Sequence, residues 1–196
     1  MSYSREKILR ALRNPRRAWG TARGLIRGCL FTLWCRLFRP RIRIGRNLIL
    51  GGRLEIRGPG QVVIGDYVQI GMQVTPYTYT PNALIHIGDR SFLNGTRLGC
   101  SERIDIGARS ILAECRISDC DLHSVNPDHR NDPDYIRARP VTIEENVWVT
   151  AQCIVLKGVT IGRNSTITAN SVVRDNIPER SVAGGNPAIV WRTLDS

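Results

Sequence analysis

Histidine is scarce in this chain: His86, His123 and His129 are the only three in 196 residues. The six cysteines, Cys29, Cys35, Cys100, Cys115, Cys120 and Cys153, are scattered, with no C-x-x-C pair and no matching histidine spacing. Zinc modules with ligands at fixed short intervals are therefore not indicated. No secretory leader pattern opens the chain, so the cysteines are expected as free thiols in a reducing cytosol. Neither G-x-x-x-x-G-K-[ST] nor G-x-G-x-x-G occurs, which leaves nucleotide hydrolysis and Rossmann binding without support.

Acidic residues are missing from one end. Residues 1–46 hold thirteen Lys/Arg and one acid, Glu6, whereas the rest holds fifteen basic and sixteen acidic residues. A strongly basic arm therefore precedes a near-neutral body. Within the arm, Leu9, Leu12, Leu25, Leu30, Leu33, Trp34, Leu37 and Phe38 alternate with arginines, and the pattern from Gly24 to Phe38 is helical. That stretch, interrupted by Arg27 and Arg36, is too short and too polar to span a bilayer, which needs ~20 apolar residues. It suits an amphipathic helix on an anionic membrane surface, with Trp19 and Trp34 near the headgroups. Packing on its own body or on a second subunit is the alternative. Nucleic acid is not expected, because no helix-turn-helix, zinc or RNP pattern accompanies the charge.

The body repeats. Ile143, Val149, Val155, Ile161, Ile167 and Val173 recur at every sixth position without a slip. A helix repeats at about 3.6 and a strand at 2, so neither alone explains the step. Ile64/Ile70, Ile87/Leu93 and Ile106/Leu112 keep the same interval upstream. Hexapeptide periodicity marks a parallel β-helix, in which three short strands close a triangular coil and stacked coils bury one another's aliphatic ladder. The small residues four positions on, Val147, Cys153, Val159, Ser165 and Ser171, are expected near the corners. Glycine or another turn-tolerant residue after the aliphatic position is expected where the corner bends. The reading divides the chain into an arm (1–46), a β-helix (47–180) with a loop inserted at 116–140, and a C-terminal cap (181–196).

The loop, RISDCDLHSVNPDHRNDPDYIRARP, breaks the ladder between Leu112 and Ile143. It is polar, contains three prolines and two of the histidines, and is not required by the solenoid, so chemistry is expected there.

The repeats, the loop with His123 and the ending Gly184-Gly185-Asn186-Pro187-Ala188-Ile189-Val190 together resemble the hexapeptide-repeat acyltransferases. Within them the chain is similar to the maltose/galactoside-type O-acetyltransferases and to relatives that decorate surface polysaccharides. The resemblance covers about residues 60–194 and leaves out the arm. It implies a left-handed β-helix, a homotrimer, acetyl-CoA as donor and no metal. It also implies that His123 is the general base, activating a sugar hydroxyl for direct attack on the thioester, with Glu102 or Asp121 as candidate orienting carboxylates. Asn94 matches an acceptor-contacting asparagine; as a residue by itself it reads equally as a turn amide. Trp148, Ala151, Ala169, Arg174 and Arg192 fall on positions that line the CoA groove. His129 is the rival base, and His86 reads as an outward, structural residue. The expected location is the cytoplasm, peripheral on the inner face of the cell membrane.

Two other classes compete. A γ-carbonic-anhydrase-like lyase would need three converging histidines, yet His123 and His129 are six apart rather than five. A non-enzymatic scaffold would not need His123, Asn94 and the Gly-Asn-Pro-Ala ending.

Overall fold

The computed structural model describes residues 15–195. The body is a coil of about seven turns with three parallel sheets as its walls. The first wall stacks Ile42–Ile44, Gln61–Ile64, Leu84–Ile87, Arg103–Ile106, Val141–Ile143 and Thr160–Ile161. The second runs from Ile49–Leu50 to Ser181–Gly184, and the third from Thr75–Thr78 to Val172–Val173. Each strand pairs in parallel with its counterpart one coil away, as in Ile106↔Ile143↔Ile161. Side chains alternate in and out along every strand, so one aliphatic per wall points inward. The whole six-step ladder from Ile143 to Val173 is buried, as are Val147, Cys153, Val159, Ser165 and Ser171.

The corners follow distinct rules. Between the first and second walls, six residues separate the buried positions in every coil, from Ile44/Leu50 to Ile177/Ala183. Length varies at the other two corners: Leu112 to Ile117 is five residues but Val149 to Val155 is six, and Val155 to Ile161 is six whereas the loop lies between Ile117 and Ile143.

Sequence reasoning placed turn tolerance directly after the aliphatic residue. The left-handed residue instead lies three positions after it: Asn47, Tyr67, Arg90, Arg109, Asn146, Asn164 and Arg180 all have φ between 55° and 60°. Such angles are uncommon outside glycine. Here each of these amides from Tyr67 onward donates to a carbonyl one coil back, for example Arg109 to Asp89 and Asn146 to Ala108, both at 2.8 Å. The glycine directly after the aliphatic serves close approach. A Cβ on Gly107 would lie 2.5 Å from the Glu144 carbonyl carbon, and one on Gly162 would lie 2.3 Å from the Glu179 amide nitrogen.

Among the described residues a helix, Pro15–Phe38, lies against the first coil. It is longer than the Gly24–Phe38 stretch read from the sequence, and Leu9 and Leu12 lie outside the described residues. Pro40 ends it, since proline cannot continue the hydrogen-bond ladder. Gly24, Gly28 and Cys35 face the body; a Cβ on Gly28 would meet the Leu48 carbonyl oxygen at 1.9 Å. Arg27 clamps the contact by donating to the Gly51 and Gly52 carbonyls at 3.2 and 3.0 Å. The first strand, Ile42–Ile44, begins within the segment counted with the arm. Among the described residues no helix is long and apolar enough to cross a membrane. At the far end Ser181–Gly184 joins the second wall and Ile189–Thr193 folds back antiparallel on it, covering the last coil.

Candidate active site

The third-wall strand Arg116–Ser118 ends at the loop, and alternation carries the next inward position to Asp119. Ile117 points in, Ser118 out and Asp119 in, fully buried. Its carboxylate accepts from the backbone amides of Ser101, Glu102 and Arg103, all at 2.7 Å, and from the Cys100 thiol at 3.3 Å. A buried carboxylate demands such partners. Asp119 therefore pins the root of the loop to the corner of the preceding coil. The sequence reading missed it, although the period-2 alternation running out of Ile117 carried the signal.

From that root the loop rises as a narrow excursion. Its two ends pair antiparallel at Cys120↔Ala138, with Asp121 donating to the Arg137 carbonyl at 3.2 Å and Arg139 to the Asp119 carbonyl at 2.8 Å. Two short 3-10 turns follow, Pro127–His129 and Pro133–Tyr135, each preceded by an Asn or Asp whose side chain caps it. Ser124 is buried, and its amide donates to the Arg130 carbonyl at 3.0 Å. His123, the residue before it, is exposed.

The other candidates fall in different surroundings. Asp121 forms an ion pair with Lys157 from the next coil, so its carboxylate already has a partner. Glu102 is exposed beside the loop root, its amide held by Asp119. His129 stacks on Tyr135 with ring centroids 3.8 Å apart and sits 3.6 Å from Asp132. His86 points outward from the first wall, 3.6 Å from Asp105. The three histidines are thus spread over a wall and two ends of a loop, and among the described residues no His/Cys/Asp/Glu group is arranged to hold a metal.

Asn94 closes a corner between the second and third walls, its Oδ1 accepting from the Met72 amide at 2.8 Å. Ala151 and Ala169 occupy that same corner in later coils, with the Ala151 carbonyl accepting from Asn170 at 3.1 Å. Trp148 stands half-exposed on the outer side of the second wall, in register with Ile111 and Thr166, and Arg192 lies on the closing strand of that wall. Arg174 is at the third-to-first corner, beside Asp175 at 3.3 Å. The structure therefore brings Arg174 to the corner from which the loop springs. It leaves Trp148, Ala151, Ala169, Arg192 and Asn94 beyond the opposite edge of the third wall.

Four of the buried cysteines, Cys35, Cys100, Cys115 and Cys120, lie in surroundings that disfavour the thiolate. Burial pushes the Cys115 thiol up to about 12 and raises Cys35, Cys100 and Cys120 as well. Such thiols stay protonated and act as small apolar residues.

Beside the loop root, the outer side of the third wall forms a groove of about 580 Å³, lined in part by Tyr77, Tyr79, Arg97, Arg116 and Leu122. It lies next to the residue preceding His123.

Comparisons with known proteins agree with this architecture. Residues 140–175 match the family model described as bacterial transferase hexapeptide (six repeats). Over 150 residues the chain is 29% identical to WcaF of Escherichia coli (strain K12), named as a colanic acid biosynthesis acetyltransferase, covering 76% of this chain and 68% of that one. A maltose O-acetyltransferase from Clostridium difficile 630 superposes with a TM-score of 0.53 at 26% identity, covering 81% of this chain and 73% of that chain. A hexapeptide-repeat acetyltransferase of Vibrio cholerae O1 biovar eltor, solved with acetyl coenzyme A, gives 0.59 at 23% identity, over 85% and 76% of the two chains. The shared fold is the left-handed β-helix. Repeat, relatives and fold together make the chain similar to the hexapeptide-repeat acetyltransferases.

Proposed function

We propose that the protein transfers an acetyl group from acetyl-CoA to a sugar hydroxyl, with His123 as general base. The observation that carries this reading is the position of His123: exposed, on a loop whose root is fixed by a buried carboxylate, beside a groove of sugar size. A hydroxyl is a weak nucleophile at neutral pH, and imidazole is the side chain that titrates nearest to it. His123 takes the hydroxyl proton as the oxygen attacks the thioester carbon. Collapse of the tetrahedral oxyanion breaks the C–S bond, and the proton goes to the departing thiolate. A backbone N–H beside the carbonyl would stabilise the oxyanion. The names of the relatives, one for colanic acid and one for maltose, support a saccharide acceptor.

The donor-side residues explain why a homotrimer fits. Ala151, Ala169 and Trp148 lie across the third wall from the loop, and a four-residue strand such as Arg97–Cys100 spans about 13 Å at ~3.3 Å per residue. In this reading the second-to-third corner of a neighbouring subunit presents pantetheine to His123, so each site needs two chains. The test is thiol release from acetyl-CoA across a panel of sugars. His123→Ala should lower the acceptor-dependent rate about a thousandfold with an unchanged melting temperature; full activity in that variant refutes the mechanism.

The arm fits an anionic lipid surface. While Gly24, Gly28 and Cys35 face the body, Ile26, Leu30, Leu33 and Leu37 repeat along the opposite side, more than half exposed, with Trp19 and Trp34 also exposed. No carboxylate occurs between Glu6 and Glu55, so a second copy of the arm would bring like charge to this stripe, whereas acidic headgroups bring the opposite. Cosedimentation with vesicles containing acidic lipid, lost in Leu30→Asp/Leu33→Asp and weakened by salt, is the expected result. Self-association without vesicle binding would assign the stripe to a second copy.

A further inference from the structure

The outer side of the third wall carries an arrangement that costs stability. Thr75, Arg97, Arg116 and Ile154 stack in parallel register, which sets Arg97 and Arg116 side by side on adjacent strands. Neighbouring strands lie about 4.8 Å apart, and like charges directly opposite repel. Both side chains are exposed, and among the described residues neither guanidinium has an ion-pair or hydrogen-bond partner. The acid that lines the same groove, Glu55, is already taken. It accepts from Arg57 Nε at 2.9 Å and from Gln73 Nε2 at 3.0 Å, and the Arg57 hydrogen bond holds its carboxyl below the usual range. Two positive charges are therefore left uncompensated in one groove.

The remaining lining has a different character. Tyr77 and Tyr79 sit with ring centroids 4.8 Å apart, and each ring is about two-fifths exposed. Tilted, half-exposed rings offer flat apolar surface with hydroxyls at the edge, which suits the C–H face of a sugar ring. Leu122, half-exposed, closes the groove beside His123. A volume of about 580 Å³ is in the range for small-ligand sites.

We propose that this groove is the acceptor subsite and that it selects a glycan carrying an anionic group, a carboxylate or a phosphate. Arg97 and Arg116 grip the anion in forked charge-assisted hydrogen bonds while the sugar ring lies on Tyr77 and Tyr79. The acceptor hydroxyl then lies toward Leu122 and His123. This inference rests on the saccharide reading above and adds the acceptor's charge to it.

The experiment measures binding, without acetyl-CoA, of three oligosaccharide sets to the full-length protein: neutral, uronate- or sialate-containing, and phosphorylated or nucleotide-linked. Wild type should bind one of the anionic sets at least tenfold more tightly than the neutral set. Preference for the carboxylate set or for the phosphate set identifies the source of the anion. Arg97→Gln and Arg116→Gln should each weaken that binding about tenfold and leave neutral-sugar binding unchanged. Arg116→Lys should recover part of the loss. Because both Gln variants remove repulsion, their melting temperatures should hold or rise, which separates lost binding from lost folding. Equal binding of neutral and anionic sets, no binding of any set, or anion affinity unchanged in both Gln variants overturns the proposal. Anion-selective binding without acetyl transfer would instead refute the reaction and leave the subsite standing.

Discussion

The coils from Val141 to Ile177 and the loop from Asp119 to Pro140 adjoin in sequence and are held by different forces. In the coils every sixth residue is an aliphatic buried on all sides by its counterparts above and below. In the loop only Asp119, Cys120 and Ser124 are buried, and the order comes from capped turns, backbone bonds and one ion pair. Hydrophobic burial is non-directional and redundant, whereas polar order depends on each partner being present. The coils therefore supply a rigid edge, and the loop supplies the reactive group at a position the edge defines.

The largest effect that would separate the two regions is a core truncation. Ile143 is buried in register between Ile106 and Ile161. Ile143→Ala should cost about 3–4 kcal/mol of unfolding free energy by denaturant titration. The turnover of the molecules that remain folded should be close to wild type, because the cavity lies inside the prism and the loop root is held by other bonds. A loss of turnover equal to the loss from altering His123 would mean that coil and loop are not separable.

At the junction the effect should be smaller and of another kind. Asp119→Asn keeps one acceptor oxygen and replaces the other with a donor, so at least one of the Ser101, Glu102 and Arg103 amides loses its partner. An orphaned buried donor costs about 2 kcal/mol. The loosening should concentrate in the loop, seen as faster proteolytic cleavage within residues 119–140 while the coils stay protected. Uniform protection throughout the chain would show that Asp119 does not anchor the loop.

This contrast also explains what could be read from the sequence. The coils were legible because stacking imposes one rule on every turn, and Ile143 through Val173 obey it without exception. The location of the loop was legible as the place where the rule fails. A glycine or other turn-tolerant residue after the aliphatic was legible, but the reason for the glycine was not, since the approach of Gly107 to Glu144 depends on coil spacing rather than on the local turn. Groupings set by which wall a residue occupies were also hidden. Arg97 and Arg116 are nineteen residues apart in sequence, and only the register Arg116↔Arg97 makes them neighbours. Likewise, the partner of Asp121 lies thirty-six residues on, at Lys157.

The smallest predicted effect concerns that last pair. The Asp121 side chain is about one-third exposed and Lys157 about one-fifth, so water screens the attraction and the pair contributes at most about 1 kcal/mol. Lys157→Met and Asp121→Asn should each lower the melting temperature by about 2–4 °C, the double variant should lose no more than either alone, and the loss should shrink at high salt. Both single variants should keep turnover within about threefold of wild type, because the carboxylate is engaged by Lys157 and acts as a strut for the loop. The comparison is sharp because Asp121 is also placed to orient His123 by its position two residues away. If Asp121→Asn were to lower kcat a hundredfold while Lys157→Met left it unchanged, the carboxylate would be serving the imidazole during turnover, and the boundary between the structural root of the loop and its chemistry would move two residues toward the root.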